Sequence, residues 1–262
     1  MSKIHNTAII EKGAVIGEDV EIGPYAFISS QAKIANGVKI MQGAQIHGDT
    51  EIGEKSSIFY NAVIGSIPQD LKYRGEKVKL IIGKNNKIRE FTFLNPGTEG
   101  GGGVTKIGDN NLIMGYVHIA HDCIIGDNNI FANAVTLAGH VEIGNNAVIG
   151  GMTPVHQFVK IGDFAMIGGA SAVAQDIPPY CLAEGNRAVV KGLNLVGLRR
   201  HFERKEIDIL KRAFKEIFLS GKSISEAARE LLQKSDNDKV RNLCNFILNT
   251  KRGIPFERKK DK

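Results

Sequence analysis

The chain has 262 residues, 42% hydrophobic and 24% charged, a globular balance that excludes a disordered or low-complexity protein. No apolar run approaches the roughly 20 residues of a membrane-crossing helix, which excludes a helical membrane-spanning protein. The net charge of +6 is uneven, −3 over residues 1–187 and +9 over 188–262. The basic C-terminal part is therefore either a solvated helical face or a docking surface for an acidic partner.

At the start, Met1-Ser2-Lys3-Ile4-His5-Asn6 lacks the apolar core, about 7–15 residues long, of a secretory signal. Cys123, Cys181 and Cys244 are odd in number and far apart, so they make no disulfide framework. Both features predict a cytoplasmic protein. Glycine is abundant, at 30 residues, and tryptophan is absent. Small and branched aliphatic residues must therefore build the core.

A period of six begins at once. Isoleucine occupies positions 4, 10, 16, 22, 28, 34, 40, 46, 52, 58 and 64. Two residues before each sits a small or β-branched residue, as at Ala8, Ala14, Val20, Ala26 and Ala32. Glycine often follows the large residue directly, as at Gly17, Gly53, Gly108 and Gly126. Six is not a helical period, and it continues far beyond the length of one strand. Such a repeat predicts a parallel β-helix, in which three hexads make one triangular coil of about 18 residues. The large aliphatic fills the core, the small residue packs near a corner, and glycine is expected to supply the turn conformations.

Two interruptions follow. Residues 65–81 carry Pro68 and a polar, basic stretch, and residues 95–106 contain four consecutive glycines. The register returns between them at Ile82, Ile88 and Leu94, and after them from Ile107 to Val173. Both are therefore expected to be loops extruded from a continuous scaffold. Gly100–Gly103 lacks the Lys-Ser/Thr ending of a phosphate-binding loop and reads as a turn.

The repeat ends near Ile177-Pro178-Pro179. A helical period then appears in Ile207, Leu210, Phe214, Ile217 and Phe218. Ser223 and Glu226 read as a capping box, and Val240, Leu243, Phe246 and Ile247 mark a last helix before Gly253 and Pro255. The fold class expected is an all-β solenoid over 1–187 with a C-terminal α-helical domain over 188–262.

Four of the seven histidines lie on the second solenoid run: His118, His121, His140 and His156. None takes the inward first or fifth position of its hexad, so none is read as a core histidine. Residues 18 apart stack at about 4.8 Å, the strand spacing. His121 then stacks on Gly139, and Asp122 on His140. An imidazole is a base at neutral pH, and a bare glycine N–H can face a developing oxyanion. Asp122 can orient the imidazole or stabilise its charged form. The pattern points to direct acyl transfer. Cys123 occupies the inward small slot and reads as a buried, inert thiol rather than a nucleophile. Two other readings remain open at this point: histidines binding zinc across a subunit boundary, and a scaffold solenoid whose histidines are incidental.

Several motifs are more specific than the hexads. They are His118-Ile119-Ala120-His121-Asp122-Cys123, Thr136-Leu137-Ala138-Gly139-His140-Val141, Gly150-Gly151-Met152-Thr153, Val155-His156-Gln157-Phe158, Ala174-Gln175-Asp176-Ile177-Pro178-Pro179-Tyr180, and Gln69-Asp70-Leu71-Lys72-Tyr73 in the first loop. In these, and in order over nearly the whole chain, the sequence resembles the acyl-carrier-protein-dependent UDP-N-acetylglucosamine O-acyltransferases that begin lipid A synthesis. The resemblance implies a left-handed solenoid and a homotrimer with active sites between subunits. It implies transfer of an (R)-3-hydroxyacyl chain from acyl carrier protein to the sugar 3-position, with no cofactor or metal. Nucleic acid and stable membrane insertion are not expected.

By motif match His121 is the general base and the Gly139 N–H the oxyanion donor. Asp70 anchors the sugar, with Gln69 and Lys72 close by. His118, His140, His156 and Gln157 line the cleft. Asn194 and Arg200 match positions that contact nucleotide phosphate or donor. Gly169 matches the position that limits acyl length and leaves room for a long chain, and Arg187 matches a position near the far end of that groove. Asn95-Pro96 departs from a common His-Arg pair, Val196 from an acidic residue and His201 from a second arginine. The first departure leaves open a 3-amino acceptor, which would give an amide. A later-acting hexapeptide N-acyltransferase is a further alternative.

Overall fold

The computed structural model describes residues 2–257. The hexads close into three flat parallel faces. The first starts at Lys3–Ile4, the second at Ile9–Ile10 and the third at Val15–Ile16. Each strand pairs with its counterpart one coil on, so Ile4 lies against Ile22, Ile10 against Ile28 and Ile16 against Ile34. Isoleucines thus stack on isoleucines inside the prism. Those from Ile22 onward are buried, each contributing about 1.5–3 kcal/mol of hydrophobic stabilisation.

The two interruptions leave the stacking intact. Ile58 pairs with Ile88, and Ile88 with Ile113, although these partners are 30 and 25 residues apart. The extruded segments are shorter than the 65–81 and 95–106 expected from sequence. Lys79–Ile82 and Val104–Ile107 are already strands, paired with each other residue by residue. Hydrogen bonding to the neighbouring coil captures the flanking residues, although no period-six signal marks them.

The corners also differ from expectation. In most hexads the left-handed turn residue is the fourth, and it is commonly not glycine: Asn61, Asn110, Asp122, Asn128, His140 and Phe158 all have φ between 55° and 64°. Glycine at the second position serves close approach instead. A Cβ on Gly108 would stand 2.7 Å from the Gly126 carbonyl oxygen of the next coil, and one on Gly126 2.7 Å from that of Gly144. At the fifth position, three consecutive coils of the third-face corner bury asparagines. Asn86 Oδ1 accepts the Asn111 N–H, Asn111 Oδ1 the Asn129 N–H, and Asn129 Oδ1 the Ala147 N–H. Their amide nitrogens donate to Gly108, Gly126 and Gly144 carbonyls.

At the C-terminal end the first face gains Cys181–Glu184, parallel to Met166–Ile167, and then Val189–Leu193, antiparallel to Cys181–Glu184. Residues 189–193, expected in the helical part, are therefore the last strand of the sheet. The backbone polar groups at the solenoid's end are paired by this hairpin. Among the described residues four helices follow: α1 (Leu195–Leu198), α2 (Arg204–Leu219), α3 (Ile224–Lys234) and α4 (Asp238–Leu248). Glu203 and Glu206 form the capping box of α2, Ser223 Oγ accepts the Glu226 N–H at the start of α3, and Asn237 caps α4. Ile207, Leu210, Ile217 and Phe218 are buried in a second core shared with Tyr180 and Leu198. Asn242 on α4 donates to Asp163 and Tyr180, and Thr250 donates to Asp176, which fastens the helices to the solenoid. Among the described residues no helix is long and apolar enough to cross a membrane.

Candidate active site

The site forms at the corner where the chain passes from the second face (His118–Ile119) to the third (Ile124–Ile125). Ile119 and Cys123 point inward and are fully buried. His121 and Asp122, between them, project away from the core. Asp122 takes the left-handed conformation, φ 60°, and its N–H donates to Thr105 Oγ1 at 2.8 Å. The Cys123 thiol is pushed up to about 12, chiefly by burial, and donates to the Ala138 carbonyl. It stays protonated and is not a nucleophile.

Ile119 lies against Leu137 in the ladder, so two residues later His121 faces Gly139 on the next coil. The imidazole occupies the space over that glycine: a Cβ at 139 would stand 2.7 Å from His121 Nε2. The Gly139 N–H makes no hydrogen bond among the described residues, whereas its carbonyl accepts from Phe158. His121 Nδ1 is 2.8 Å from Asp122 Oδ2. A carboxylate only accepts, so Nδ1 is the nitrogen that donates to it, and Nε2 is the one left to face a substrate. The pair is buried, with His121 7% and Asp122 5% exposed, although neither side chain belongs to the core.

His140 meets the His121 ring edge-on, with centroids 5.1 Å apart, and stacks on Phe158 at 4.5 Å. His118 stacks on Phe93, and its Nδ1 lies 3.0 Å from the Phe93 carbonyl oxygen. Burial lowers the His118 pKa below the ordinary imidazole value, so this ring is neutral at pH 7. Asp122 and His140 open onto a groove of about 500 Å³ that Phe158, Lys160 and Lys251 also line.

Other expected residues lie further off. His156 and Gln157 are exposed on the coil above, with His156 Nδ1 3.1 Å from the Gln157 carbonyl oxygen. Gln69, Asp70 and Lys72 sit in the first loop, where Asp70 Oδ1 accepts the Lys72 N–H at 2.9 Å and fixes a turn. No hydrogen bond, ion pair or ring contact joins them to His121 among the described residues. Asn95 is fully buried, and its amide donates to the Ser66 and Ile67 carbonyls. The residue that departs from the common His-Arg pair thus ties the two loops together. Asn194 caps α1, accepting from the Gly197 N–H and donating to the Phe164 carbonyl. Arg200, His201 and Arg187 are exposed. Gly169 is exposed at a corner of the first face, and a Cβ there would come no nearer than 3.4 Å to Gly151, so a side chain has room.

The sequence reading missed Thr98, Gly101 and Thr105. Thr98 donates to both oxygens of Asp122, and Gly101 packs directly against its carboxylate. The broken register around residues 95–106 hides their nearness to residue 122.

The donor atoms of His121, Asp122 and His140 lie within 4.8 Å of one another, as a metal site would require. Their chemistry argues otherwise. Asp122 Oδ2 already accepts from Thr98 Oγ1 and His121 Nδ1, and a metal would have to break these bonds. What remains is a buried, oriented base beside a backbone donor, an arrangement suited to removing a proton from a nucleophile and stabilising an oxyanion.

Comparison with known proteins gives the same picture over the whole length. Residues 176–255 match the family described as UDP-N-acetylglucosamine O-acyltransferase, domain 2, and residues 1–36 and 104–139 match the six-repeat bacterial transferase hexapeptide. A curated relative from Sulfurimonas denitrificans, named acyl-[acyl-carrier-protein]–UDP-N-acetylglucosamine O-acyltransferase, is 68% identical over 99% of both chains. One of the same name from Sulfurovum sp. is 63% identical over 99% of this chain and all of its own. The solved structure of UDP-N-acetylglucosamine acyltransferase from Campylobacter jejuni superposes with a TM-score of 0.95 at 55% identity, covering 98% of this chain and 100% of that one. The fold class is thus a left-handed parallel β-helix with a helical C-terminal part.

Proposed function

Because the chain belongs to the UDP-N-acetylglucosamine O-acyltransferase family, we propose that its His121 corner carries out acyl transfer from acyl carrier protein to the 3-hydroxyl of UDP-N-acetylglucosamine. The single observation behind this reading is the buried His121–Asp122 pair lying over Gly139. His121 Nε2 takes the proton of the sugar hydroxyl as its oxygen attacks the thioester carbonyl. The new oxyanion accepts a hydrogen bond from the Gly139 N–H. The tetrahedral intermediate collapses, the carbon–sulfur bond breaks, and the carrier thiolate takes the proton back from His121. Asp122 holds the imidazolium in between. The step needs no cofactor, because base, oxyanion donor and leaving group are all present.

The remaining assignments are part of the same proposal. Gln69, Asp70 and Lys72 hold the sugar, and His118, His140, His156 and Gln157 line the cleft. Asn194 and Arg200 contact the nucleotide phosphate or the donor. Gly169 and Arg187 bound the acyl groove. Sites complete themselves between subunits of a homotrimer, since the first-loop residues do not reach His121 within one chain. The solenoid carries the chemistry and the helical part receives the acidic carrier. The protein acts in the cytoplasm at the first step of lipid A synthesis. An (R)-3-hydroxyacyl chain is the group transferred.

The relatives are named for ester formation, which favours the 3-hydroxyl over the 3-amino acceptor. Purified protein offered 3-hydroxyacyl carrier protein with either sugar nucleotide is expected to acylate the hydroxyl sugar. His121→Ala is expected to lower kcat on the order of 10²–10⁴-fold, the usual loss on removing a general base. Near-normal kcat in a folded His121→Ala protein would overturn the base assignment.

A further inference from the structure

A corner of the solenoid by itself does not hold the Asp122 carboxylate in place. Asp122 sits at the left-handed turn position, and its side chain points away from the packed interior. The groups that fix it come from the second loop, 24 residues earlier in the chain. The Thr98 N–H donates to Oδ1 at 2.8 Å, and Thr98 Oγ1 donates to Oδ2 at 2.6 Å. Oδ2 is also the oxygen that accepts from His121 Nδ1. Thr98 is buried, 5% exposed, so water does not substitute for it. Gly101 closes the other side, where any Cβ would strike the carboxylate. From below, Thr105 holds the Asp122 backbone N–H.

We propose that Thr98 is a positioning residue for acyl transfer, its hydroxyl setting the orientation and basicity of the Asp122 oxygen that partners His121. The inference rests on His121 being the base. It goes beyond that assignment, because it makes the glycine-rich loop part of the catalytic apparatus. The physical reason is charge sharing. A carboxylate oxygen with two donors is less basic than one with a single donor. His121 must accept a proton and then give it up to the leaving thiolate within one turnover. An Asp122 oxygen stripped of the threonine hydroxyl holds the imidazolium too firmly.

Thr98→Val keeps the backbone N–H and the branched shape and removes only the hydroxyl donor. It is expected to lower kcat about tenfold or more, a usual cost of losing a partner that orients a reacting group. KM for both substrates is expected to stay within about twofold, since Thr98 touches neither. The acid limb of the kcat–pH profile is expected to move to higher pH, because His121 holds its proton more tightly. Thr98→Ser, which restores the hydroxyl, is expected to recover the wild-type rate and profile. If the valine protein fails to fold, Thr98→Ala asks the same question. Wild-type kcat and pH profile in the folded hydroxyl-free variant would overturn the proposal. So would an equal loss in the serine variant, or a loss confined to KM. An inactive His121→Ala beside a fully active Thr98→Val would sink this inference alone, whereas an active His121→Ala would sink the base assignment itself.

Discussion

Gly139 shows how much one missing methyl group decides. Its place in the ladder follows from the period of six, and the His121 ring fills the space where a Cβ would stand. Gly139→Ala is therefore expected to fold, since the corner lies outside the stacked core, and to lose nearly all kcat as the imidazole is pushed from its place over the backbone N–H. Circular dichroism beside a transfer assay checks both halves, and an active alanine variant would show that the ring does not work from this position. The thiol of Cys123, one residue beyond the pair, is closed off by burial. The same corner thus sets an imidazole that can meet a substrate next to a thiol that cannot, and the difference is whether the side chain points into or away from the prism.

Among the elements, the hexad is the unit, and its fifth position is more permissive than a small-residue rule suggests. Asn86, Asn111 and Asn129 are buried there because each amide saturates the corner backbone of neighbouring coils. Removing one leaves partners without water to replace them. Asn111→Ala strands the Asn129 N–H and the Gly126 carbonyl, and is expected to cost about 2–6 kcal/mol, at 1–3 kcal/mol for each orphaned buried group. Asn145→Ala at an exposed corner is the control, expected to cost under about 1 kcal/mol. Denaturant midpoints of the two variants test the contrast, and equal losses would remove the ladder as a source of stability. The hairpin of Cys181–Glu184 and Val189–Leu193 is the other element with a distinct task. It ends the sheet and carries the chain into the second core.

For the whole molecule, charge and the two loops decide. The solenoid is mildly acidic and the part from residue 188 strongly basic. Arg199 and Arg204 are exposed beside α1 and at the start of α2, near Arg200. Reversing Arg199 or Arg204 to Glu is expected to raise the donor KM more than it lowers kcat, and the effect is expected to shrink in high salt as screening removes the attraction. An unchanged donor KM would remove the docking role of this face. The loops act across the same distance scale. Asn95 binds the first loop to the second, and Thr98 binds the second to Asp122, so the first loop and the His121–Asp122 corner are linked through one chain of hydrogen bonds.

The amino-acid sequence by itself determined the solenoid, its register and the stacking of His121 on Gly139. A period of six imposes the same constraint on every coil, and local repetition needs no distant information. It also marked the α2, α3 and α4 stripes, because amphipathic spacing is read within one helix. The extent of the loops, the last strand at Val189–Leu193 and the left-handed role of the fourth hexad position came only with the tertiary structure. So did Thr98, Gly101 and Thr105 around Asp122. The loop extents and the contacts of Thr98 and Gly101 depend on which coil a segment returns to, with ladder partners 25 or 30 residues away instead of 18. Hydrogen bonding between coils decides that return, and no pattern along the chain records it.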